Sequence, residues 1–260
     1  MPLYRATPTD GIAWITGASS GIGRALALDL ARDGWTVAAT ARKADDLAAL
    51  AAEAPAGKIL PMPGDVTDTT AMADIVARLE AGHGPIALAI LNAGVYLSVT
   101  ADDLEVEPFR KSFDVNLSGT VNALVPVLQR MRARRRGQLV IVSSVTGYGG
   151  LPTSAAYGAT KAGLTNLAES LKFDLDKLGV RIQVVHPGFV ETPATADNPF
   201  PMPFIVTVAT ASQRIRAGIA GGGFEITFPR RFTYGLKVVN LLPYPLYFWA
   251  VNRFTGWSKR

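Results

Sequence analysis

The chain of 260 residues contains no cysteine and only two histidines. The lack of cysteine excludes disulfide bonds and thiolate-bound metals, and we expect no metal site. No apolar run reaches the roughly 20 residues that a membrane-spanning helix needs. Residues 1–10 also lack the apolar stretch of a secretory signal peptide. The lack of cysteine says little about the compartment. Without a predicted membrane span or signal peptide we expect a cytoplasmic protein, and peripheral contact with a membrane surface stays open.

Charge is nearly balanced, with 26 basic and 21 acidic residues and a net charge of +5. This mild excess does not indicate a nucleic-acid partner, and none is expected. Five of the positive charges lie within Arg130–Arg136. Because cations suit the C-terminal end of a helix dipole, we favour a solvated helix end there over an anionic partner or a lipid surface.

Seven short apolar runs alternate with longer segments of helical pattern. Strands buried on both faces are unbroken apolar runs, and strand–helix alternation predicts a parallel sheet. Residues 1–260 are therefore predicted to form one α/β domain, a doubly wound, Rossmann-like parallel sheet with helices on both faces. The predicted strands are Gly11–Ile15, Trp35–Ala39, Lys58–Met62, Ile86–Leu91, Gln138–Val142, Val180–Val185 and Phe224–Phe228. The predicted helices cover residues 21–33, 43–54, 68–82, 107–136 and 155–178.

Residues 191–223 interrupt this alternation, with four prolines in the first half and three glycines at the end. The segment follows the sixth strand, at the carboxyl end of the sheet, where open α/β folds bind ligands. We predict a substrate lid, with a rigid surface loop as the alternative. Few charges and several apolar side chains favour an apolar substrate, unless these side chains pack on the core: Phe189, Phe200, Met202, Phe204, Ile205 and Val206.

The C-terminal tail, residues 229–260, is strongly apolar and also carries basic and aromatic residues. This composition suits a segment that lies on a membrane surface. It also suits an oligomer interface, where aromatic residues are enriched, and we favour the interface.

A glycine-rich turn follows the first predicted strand, in Thr16–Gly23, and a helix begins within it. Such a turn presents free backbone N–H groups and the positive end of the helix dipole to a pyrophosphate, which predicts a dinucleotide site. The same residues fit the G-x-S-x-G elbow of serine hydrolases, with Ser19 as nucleophile. That alternative needs a histidine base, for which only His83 and His186 are available.

The end of the second predicted strand indicates which dinucleotide is bound. A carboxylate there would accept from the ribose 2′-hydroxyl of NAD, but the chain has Ala41 and then Arg42. An arginine can pair with the 2′-phosphate of NADP, so NADP(H) is favoured over NAD(H). After the third strand, Asp65 is suited either to accept from the adenine amino group or to cap the following helix.

Tyr157 and Lys161 stand four residues apart, and Ser144 lies thirteen residues before the tyrosine. A lysine one helical turn away lies on the same face as the tyrosine. Its positive charge favours the phenolate and is expected to lower the pKa of Tyr157. With a hydroxyl to polarise a carbonyl, these groups predict proton transfer to or from an alcohol or ketone oxygen.

Seven motifs follow one another along the chain: Thr16–Gly23, Asp65, Asn92–Gly94, Asn116, Ser144, Tyr157 with Lys161, and Pro187–Thr192. Together they closely resemble the short-chain dehydrogenase/reductase family, in its single-domain subgroup, from about residue 10 to residue 192. The resemblance implies an oxidoreductase that transfers hydride between a nicotinamide cofactor and a carbonyl or alcohol. It also implies a homodimer or homotetramer.

The resemblance assigns a role to each matching residue. Tyr157 is implied as general acid and base, Lys161 as the partner of the nicotinamide ribose, and Ser144 as the group that orients the substrate carbonyl. Asn116 is implied to hold a water of a proton relay. Ser143 competes with Ser144, and the family's interval to the tyrosine selects Ser144. The implied cofactor-binding residues are Gly17, Ser19, Ser20, Gly21, Ile22, Gly23, Arg42, Asp65, Val66, Asn92, Ala93, Gly94, Tyr157, Lys161, Pro187, Gly188, Val190 and Thr192.

A second class of function is a sensor or scaffold that binds NADP without turnover. Such a protein has no need of Ser144, Tyr157 and Lys161 together, so the complete set favours the enzyme.

Overall fold

Seven parallel strands form one sheet in the order β3-β2-β1-β4-β5-β6-β7, as seen in a computed structural model that describes residues 4–195 and 201–259. The strands are β1 Ile12–Thr16, β2 Val37–Thr40, β3 Ile59–Pro61, β4 Ile86–Leu91, β5 Gly137–Val142, β6 Val180–Pro187 and β7 Glu225–Phe228. Each lies within two residues of its predicted position, which confirms the doubly wound parallel sheet. Every residue of β1, β4, β5 and β6 is buried, although β5 and β6 also contain polar or charged residues such as Gln138 and Arg181.

Helices cover both faces of the sheet. Alternate residues of a strand point to opposite faces, so Ala13 and Ile15 of β1 join one apolar core and Trp14 joins the other. The first core is covered by α1 Gly21–Arg32, α2 Ala44–Glu53 and α7 Val208–Ala220. The second is covered by α3 Thr69–His83, α5 Gly119–Ala133 and α6 Ala155–Lys177.

The helix predicted over residues 107–136 is interrupted in an unexpected way. It begins as α4 Val106–Ser112, passes through a π-helical turn at Phe113–Ser118, and continues as α5. A π-helical turn has hydrogen bonds between residues five apart and often occurs at functional sites. Asn116 lies in this turn, so the local widening of the helix positions that residue.

The basic cluster at the end of α5 is engaged within the chain. Arg134 pairs with Glu80 and donates to the carbonyl of Ile86, while Arg136 pairs with Asp10. These contacts bind the end of α5 to α3, β4 and the N-terminal segment. Arg134 and Arg136 are therefore held by contacts within the chain, which differs from the solvated helix end that was predicted.

The segment 191–223 is only partly irregular, because its second half forms α7. Ala211, Ile215 and Ile219 of that helix are buried in the core, and Arg216 pairs with Asp33 of α1. The part that remains for a lid is residues 191–207, of which residues 196–200, with the predicted Pro199 and Phe200, lie outside the described residues.

The C-terminal tail is helical. It contains α8 Arg230–Asn240 and α9 Tyr244–Thr255, joined by a short turn. Over residues 4–195 and 201–259, the structure contains no helix with the length and apolarity needed to cross a bilayer.

Candidate active site

A cavity of about 590 Å³ opens at the carboxyl ends of the strands. The strand order reverses between β1 and β4, and open α/β sheets bind ligands at such a reversal. The cavity is lined by the loops that follow β1, β2, β3, β4, β5 and β6, and by the first turns of α6. All the predicted cofactor-binding residues except Gly23 line it, and so does Ser144.

The backbone conformation and the close packing of the glycine-rich turn both favour glycine. Gly17 and Gly21 have φ values of +68° and +52°, a left-handed conformation that favours glycine. Gly23 lies beneath the turn, where an added Cβ would stand 2.3 Å from the carbonyl oxygen of Gly17. Only glycine fits there, which explains a residue that the hydrolase interpretation leaves without a role.

Residues that follow β4 form hydrogen bonds with this turn. Asn92 donates its amide to the carbonyl oxygens of Thr16 and Gly17 at 3.2 and 3.1 Å. Thr16 in turn accepts at Oγ1 from the backbone N–H groups of Asn92 and Ala93. No side chain caps the N-terminus of α1, so its first N–H groups face the cavity without a side-chain partner. This cradle suits a pyrophosphate.

Two charged residues flank the far end of the cavity. Arg42 is exposed, lines the cavity and forms no ion pair with the described residues. Asp65 accepts at Oδ1 from the backbone and hydroxyl of Thr67. The N-terminus of α3 is capped by Asp68 and not by Asp65, so the helix-cap alternative for Asp65 is wrong.

Ser144, Tyr157 and Lys161 meet at the inner end of the cavity. Ser144 accepts at Oγ from the N–H of Thr146 at 3.2 Å and shares a hydrogen bond with Tyr157. Lys161 Nζ donates to the carbonyl oxygen of Val142 at 2.8 Å and lies 5.4 Å from the centroid of the Tyr157 ring. The first turns of α6 thus bring the tyrosine and the lysine to the end of β5.

Burial governs the pKa values of this pair. Burial raises the pKa of Tyr157 to about 12, although its hydrogen bond with Ser144 lowers it. Burial also lowers the pKa of Lys161 to about 8. The expectation that Lys161 lowers the tyrosine pKa is therefore not met in the protein alone, because removal from water disfavours the charged form of both groups.

Asn116 lies behind the cavity wall, with its side chain fully buried. Its Oδ1 accepts from the N–H of Val95 at 2.7 Å, and its Nδ2 donates to the carbonyl of Val95 and to Thr160. The side chain therefore secures the loop after β4, and a relay water would have to use its main-chain carbonyl, which also accepts from Thr120.

The two neighbouring serines have different surroundings. Ser143 is buried and donates its hydroxyl to the carbonyl of Lys161 at 2.8 Å, whereas Ser144 turns its hydroxyl towards Tyr157. The structure thus supports Ser144 as the hydroxyl available to a substrate.

Several lining residues were not predicted. A smaller cavity of about 90 Å³ adjoins Ser144 and Tyr157 and has both apolar and polar walls. Its other lining residues are Tyr96, Val145, Thr146, Leu151, Ser154, Gly188, Phe189 and Thr195. The Tyr96 ring meets the Tyr157 ring edge-on at 5.2 Å. Tyr96 could have been predicted to line the cavity, because it follows Asn92–Gly94 in a loop at the carboxyl edge of the sheet. The other unpredicted lining residues of the large cavity are Thr40, Ala41, Gly64, Val95, Leu97, Lys111, Val115, Val142, Ser143, Pro193 and Thr195.

The histidines do not support a serine hydrolase. None of the described residues that line the cavity is a histidine. His186 is buried, with Nε2 3.0 Å from Thr165 Oγ1 and Nδ1 2.9 Å from Glu225 Oε1. Burial raises the pKa of Glu225, but hydrogen bonds from His186, Lys237 and Tyr148 bring it down to about 2. This polar network lies behind β5 and β6 and leaves Ser19 without a base.

Comparison with known proteins identifies the family. A family model described as short chain dehydrogenase matches residues 11–200. An uncharacterized oxidoreductase of Myxococcus xanthus is 41% identical over 243 residues, which cover 93% of this chain and 96% of that protein. A short-chain dehydrogenase from Streptomyces avermitilis has a TM-score of 0.77 at 25% identity and 96% coverage of both chains. An NADP complex of a short-chain dehydrogenase from Burkholderia cenocepacia shares the fold, with a TM-score of 0.75 at 24% identity and coverage of 87% of this chain and 91% of that one. The chain therefore belongs to the short-chain dehydrogenase family and is an NAD(P)-dependent oxidoreductase.

Proposed function

We propose that this protein is an NADPH-dependent reductase of apolar carbonyl compounds, with Tyr157 as the proton donor. The observation that carries the proposal is the convergence of Ser144, Tyr157 and Lys161 at the inner end of a cavity whose outer end carries Arg42.

The cavity walls suit the dinucleotide from end to end. The open N–H groups at the start of α1 would hold the pyrophosphate, and Asp65 would face the adenosine. Arg42 would pair with a 2′-phosphate, because no carboxylate stands at the end of β2 to repel it. The structurally similar Burkholderia protein was crystallised with NADP, which is consistent with a nicotinamide dinucleotide in this cavity. Pro187, Gly188, Val190 and Thr192 would flank the nicotinamide, which supplies the hydride when the cofactor is bound.

The protonation states favour reduction. With a pKa of about 12, the Tyr157 hydroxyl keeps its proton at neutral pH and is ready to give it to a carbonyl oxygen. Ser144 accepts at Oγ from Thr146, so its O–H, which is directed at Tyr157, would also orient the carbonyl oxygen of a substrate placed between them. Lys161 uses one of its three donors on Val142, so two remain for the ribose and the proton path. The relay role of Asn116 stays a prediction.

The substrate is proposed to be apolar. Val145, Leu151 and Phe189 surround the space next to Ser144 and Tyr157. Residues 191–207 would close over this space as the lid, with Phe204 and Ile205 exposed on it. Within the same segment, Val206 packs on the core, as the alternative for the apolar side chains expects.

We further propose a cytoplasmic homo-oligomer. Val125 of α5 and Phe173 of α6 expose apolar side chains on the layer that covers one face of the sheet. Exposed apolar side chains on paired helices are suited to packing against a second copy.

The test is a Tyr157→Phe variant assayed with a panel of carbonyl compounds by NADPH absorbance. Loss of the proton donor should reduce kcat by at least about a hundredfold while NADPH binding survives. Tyr244→Phe, at an exposed tyrosine of α9, is the matched control and should keep full activity. Near-normal turnover by Tyr157→Phe would contradict the assignment, and wild-type protein that binds NADPH but reduces nothing would favour the scaffold.

A further inference from the structure

The turn between α8 and α9 exposes an unusual number of large apolar side chains. Leu241 is 84% exposed, Tyr244 77% and Trp249 66%. We call the whole set the hairpin surface: Tyr234, Val238, Leu241, Leu242, Tyr244, Leu246, Phe248, Trp249 and Phe254. Single exposed apolar residues are ordinary, but nine of them within residues 234–254 indicate an interaction surface.

The geometry of α8 and α9 fits an interfacial position. Tyr234, Val238 and Leu241 recur at helical spacing along one side of α8, and the rings of Tyr244 and Phe248 stack at 6.0 Å on α9. The two helices have 11 and 12 residues, far fewer than the roughly 20 needed to span a bilayer. Short amphipathic helices with tryptophan, tyrosine and leucine lie in the plane of the membrane surface.

Charge decides between lipid and a second copy of the chain. Residues 226–260 contain no aspartate or glutamate and six basic residues, of which Lys237 pairs with Glu225 of β7. The other five are Arg230, Arg231, Arg253, Lys259 and Arg260. A two-fold contact would place this surface against itself, so cations would face cations with no acidic partner in the segment. An anionic lipid surface offers the complementary charge.

The hairpin surface is joined to the substrate end of the cavity. The Phe232 ring of α8 lies 5.5 Å from the ring of Phe189, which lines the small cavity beside Tyr157. Tyr247 of α9 donates its hydroxyl to the carbonyl of Gly150, one residue before Leu151 of the same cavity wall. A molecule that leaves the lipid near α8 would therefore meet the walls of the reaction site.

We propose that the hairpin surface docks on an anionic bilayer and that the enzyme takes a lipid-dissolved carbonyl compound directly from it. The docking stands on the surface itself, whereas the delivery of substrate rests on the proposed reductase function.

Docking is tested with the full chain and two kinds of vesicle, phosphatidylcholine alone and phosphatidylcholine mixed with phosphatidylglycerol. Wild-type protein should sediment with the anionic vesicles, and high salt should weaken binding. The double variant Leu241→Gln, Trp249→Gln should bind at least tenfold more weakly, because both side chains lose their burial in lipid. Leu104→Gln, at a comparably exposed apolar position just before α4, should bind as wild type.

Three outcomes would overturn docking. The first is no sedimentation of wild-type protein with anionic vesicles. The second is binding that the double variant retains, and the third is an equal loss of binding in Leu104→Gln. A hairpin surface that instead holds two copies together would show as a dimer that the double variant dissociates, with no vesicle binding.

Delivery is tested separately with two ketones, a long-chain ketone carried in the anionic vesicles and a short, water-soluble ketone. The double variant should lose most of its rate on the first and keep its rate on the second. If the double variant keeps the wild-type rate on both ketones, the proposal of delivery is overturned. Failure of wild-type protein to reduce either ketone would overturn the reductase function and with it delivery, while the sedimentation result would stand.

Discussion

Replacement of Lys161 by methionine should change how the stability of the nucleotide-free protein depends on pH. The Lys161 side chain is buried, and burial lowers its pKa from the ordinary value of 10.5 to about 8. The difference corresponds to about 3 kcal/mol by which the buried charge destabilises the folded state near neutral pH. The Nζ donates to the carbonyl of Val142, and loss of that hydrogen bond should cost about 1 kcal/mol. We therefore expect Lys161→Met to be more stable than wild type by about 2 kcal/mol near pH 7.

The sign of the pH dependence follows from proton binding. Between the folded pKa of about 8 and the unfolded value of 10.5, the unfolded chain binds more protons at Lys161, so stability rises with pH. From about pH 7 to about pH 9.5 the gain should be about 2 kcal/mol in wild type and absent in Lys161→Met. Tyr157 has the opposite effect above about pH 10, because its raised pKa means that the unfolded chain releases the proton first.

The assay is urea unfolding at a series of pH values, with the free energy of unfolding compared between wild type and variant. Lys177→Met, at the exposed end of the same helix, is the control and should keep the wild-type slope. A difference between wild type and Lys161→Met that stays constant across this pH range would refute the argument that the buried charge destabilises the site.

Two further substitutions test the cofactor end of the cavity. Gly23→Ala should weaken NADPH binding at least tenfold in a fluorescence titration, because its Cβ would stand 2.3 Å from the Gly17 carbonyl oxygen; Gly82→Ala, where nothing lies within 4 Å, should bind normally. Unchanged affinity in Gly23→Ala would show that the turn is not the phosphate cradle. Arg42→Asp should shift the ratio of kcat/KM for NADPH over NADH towards NADH, because a carboxylate repels the 2′-phosphate. The same change at the exposed Arg78 of α3 controls for charge, and an unaltered ratio would remove Arg42 from cofactor selection.

The positions of the strands could be predicted from the sequence, whereas some helical features could not. Buried strands such as β4 are unbroken apolar runs, so each strand lies within two residues of its predicted position. The helix α7 was missed because prolines and glycines surround it, although Ala211, Ile215 and Ile219 carry a narrow apolar stripe. The π-helical turn at Asn116 has no pattern of its own in sequence; in the fold, this turn and α4 pack against α6, which is distant in the chain.

The amino-acid sequence by itself determined the order of the elements, the glycine turn and the chemical groups that meet at the carboxyl edge of the sheet, because periodicity and motif spacing are local. Only the tertiary structure decided how those groups behave. It buried Tyr157 and Lys161 so that both charged forms are disfavoured, and it committed the side chain of Asn116 to Val95. It also turned Ser144 towards Tyr157 while Ser143 became buried against Lys161. Burial and hydrogen bonding depend on residues that are far apart in the chain, and folding alone brings those residues together.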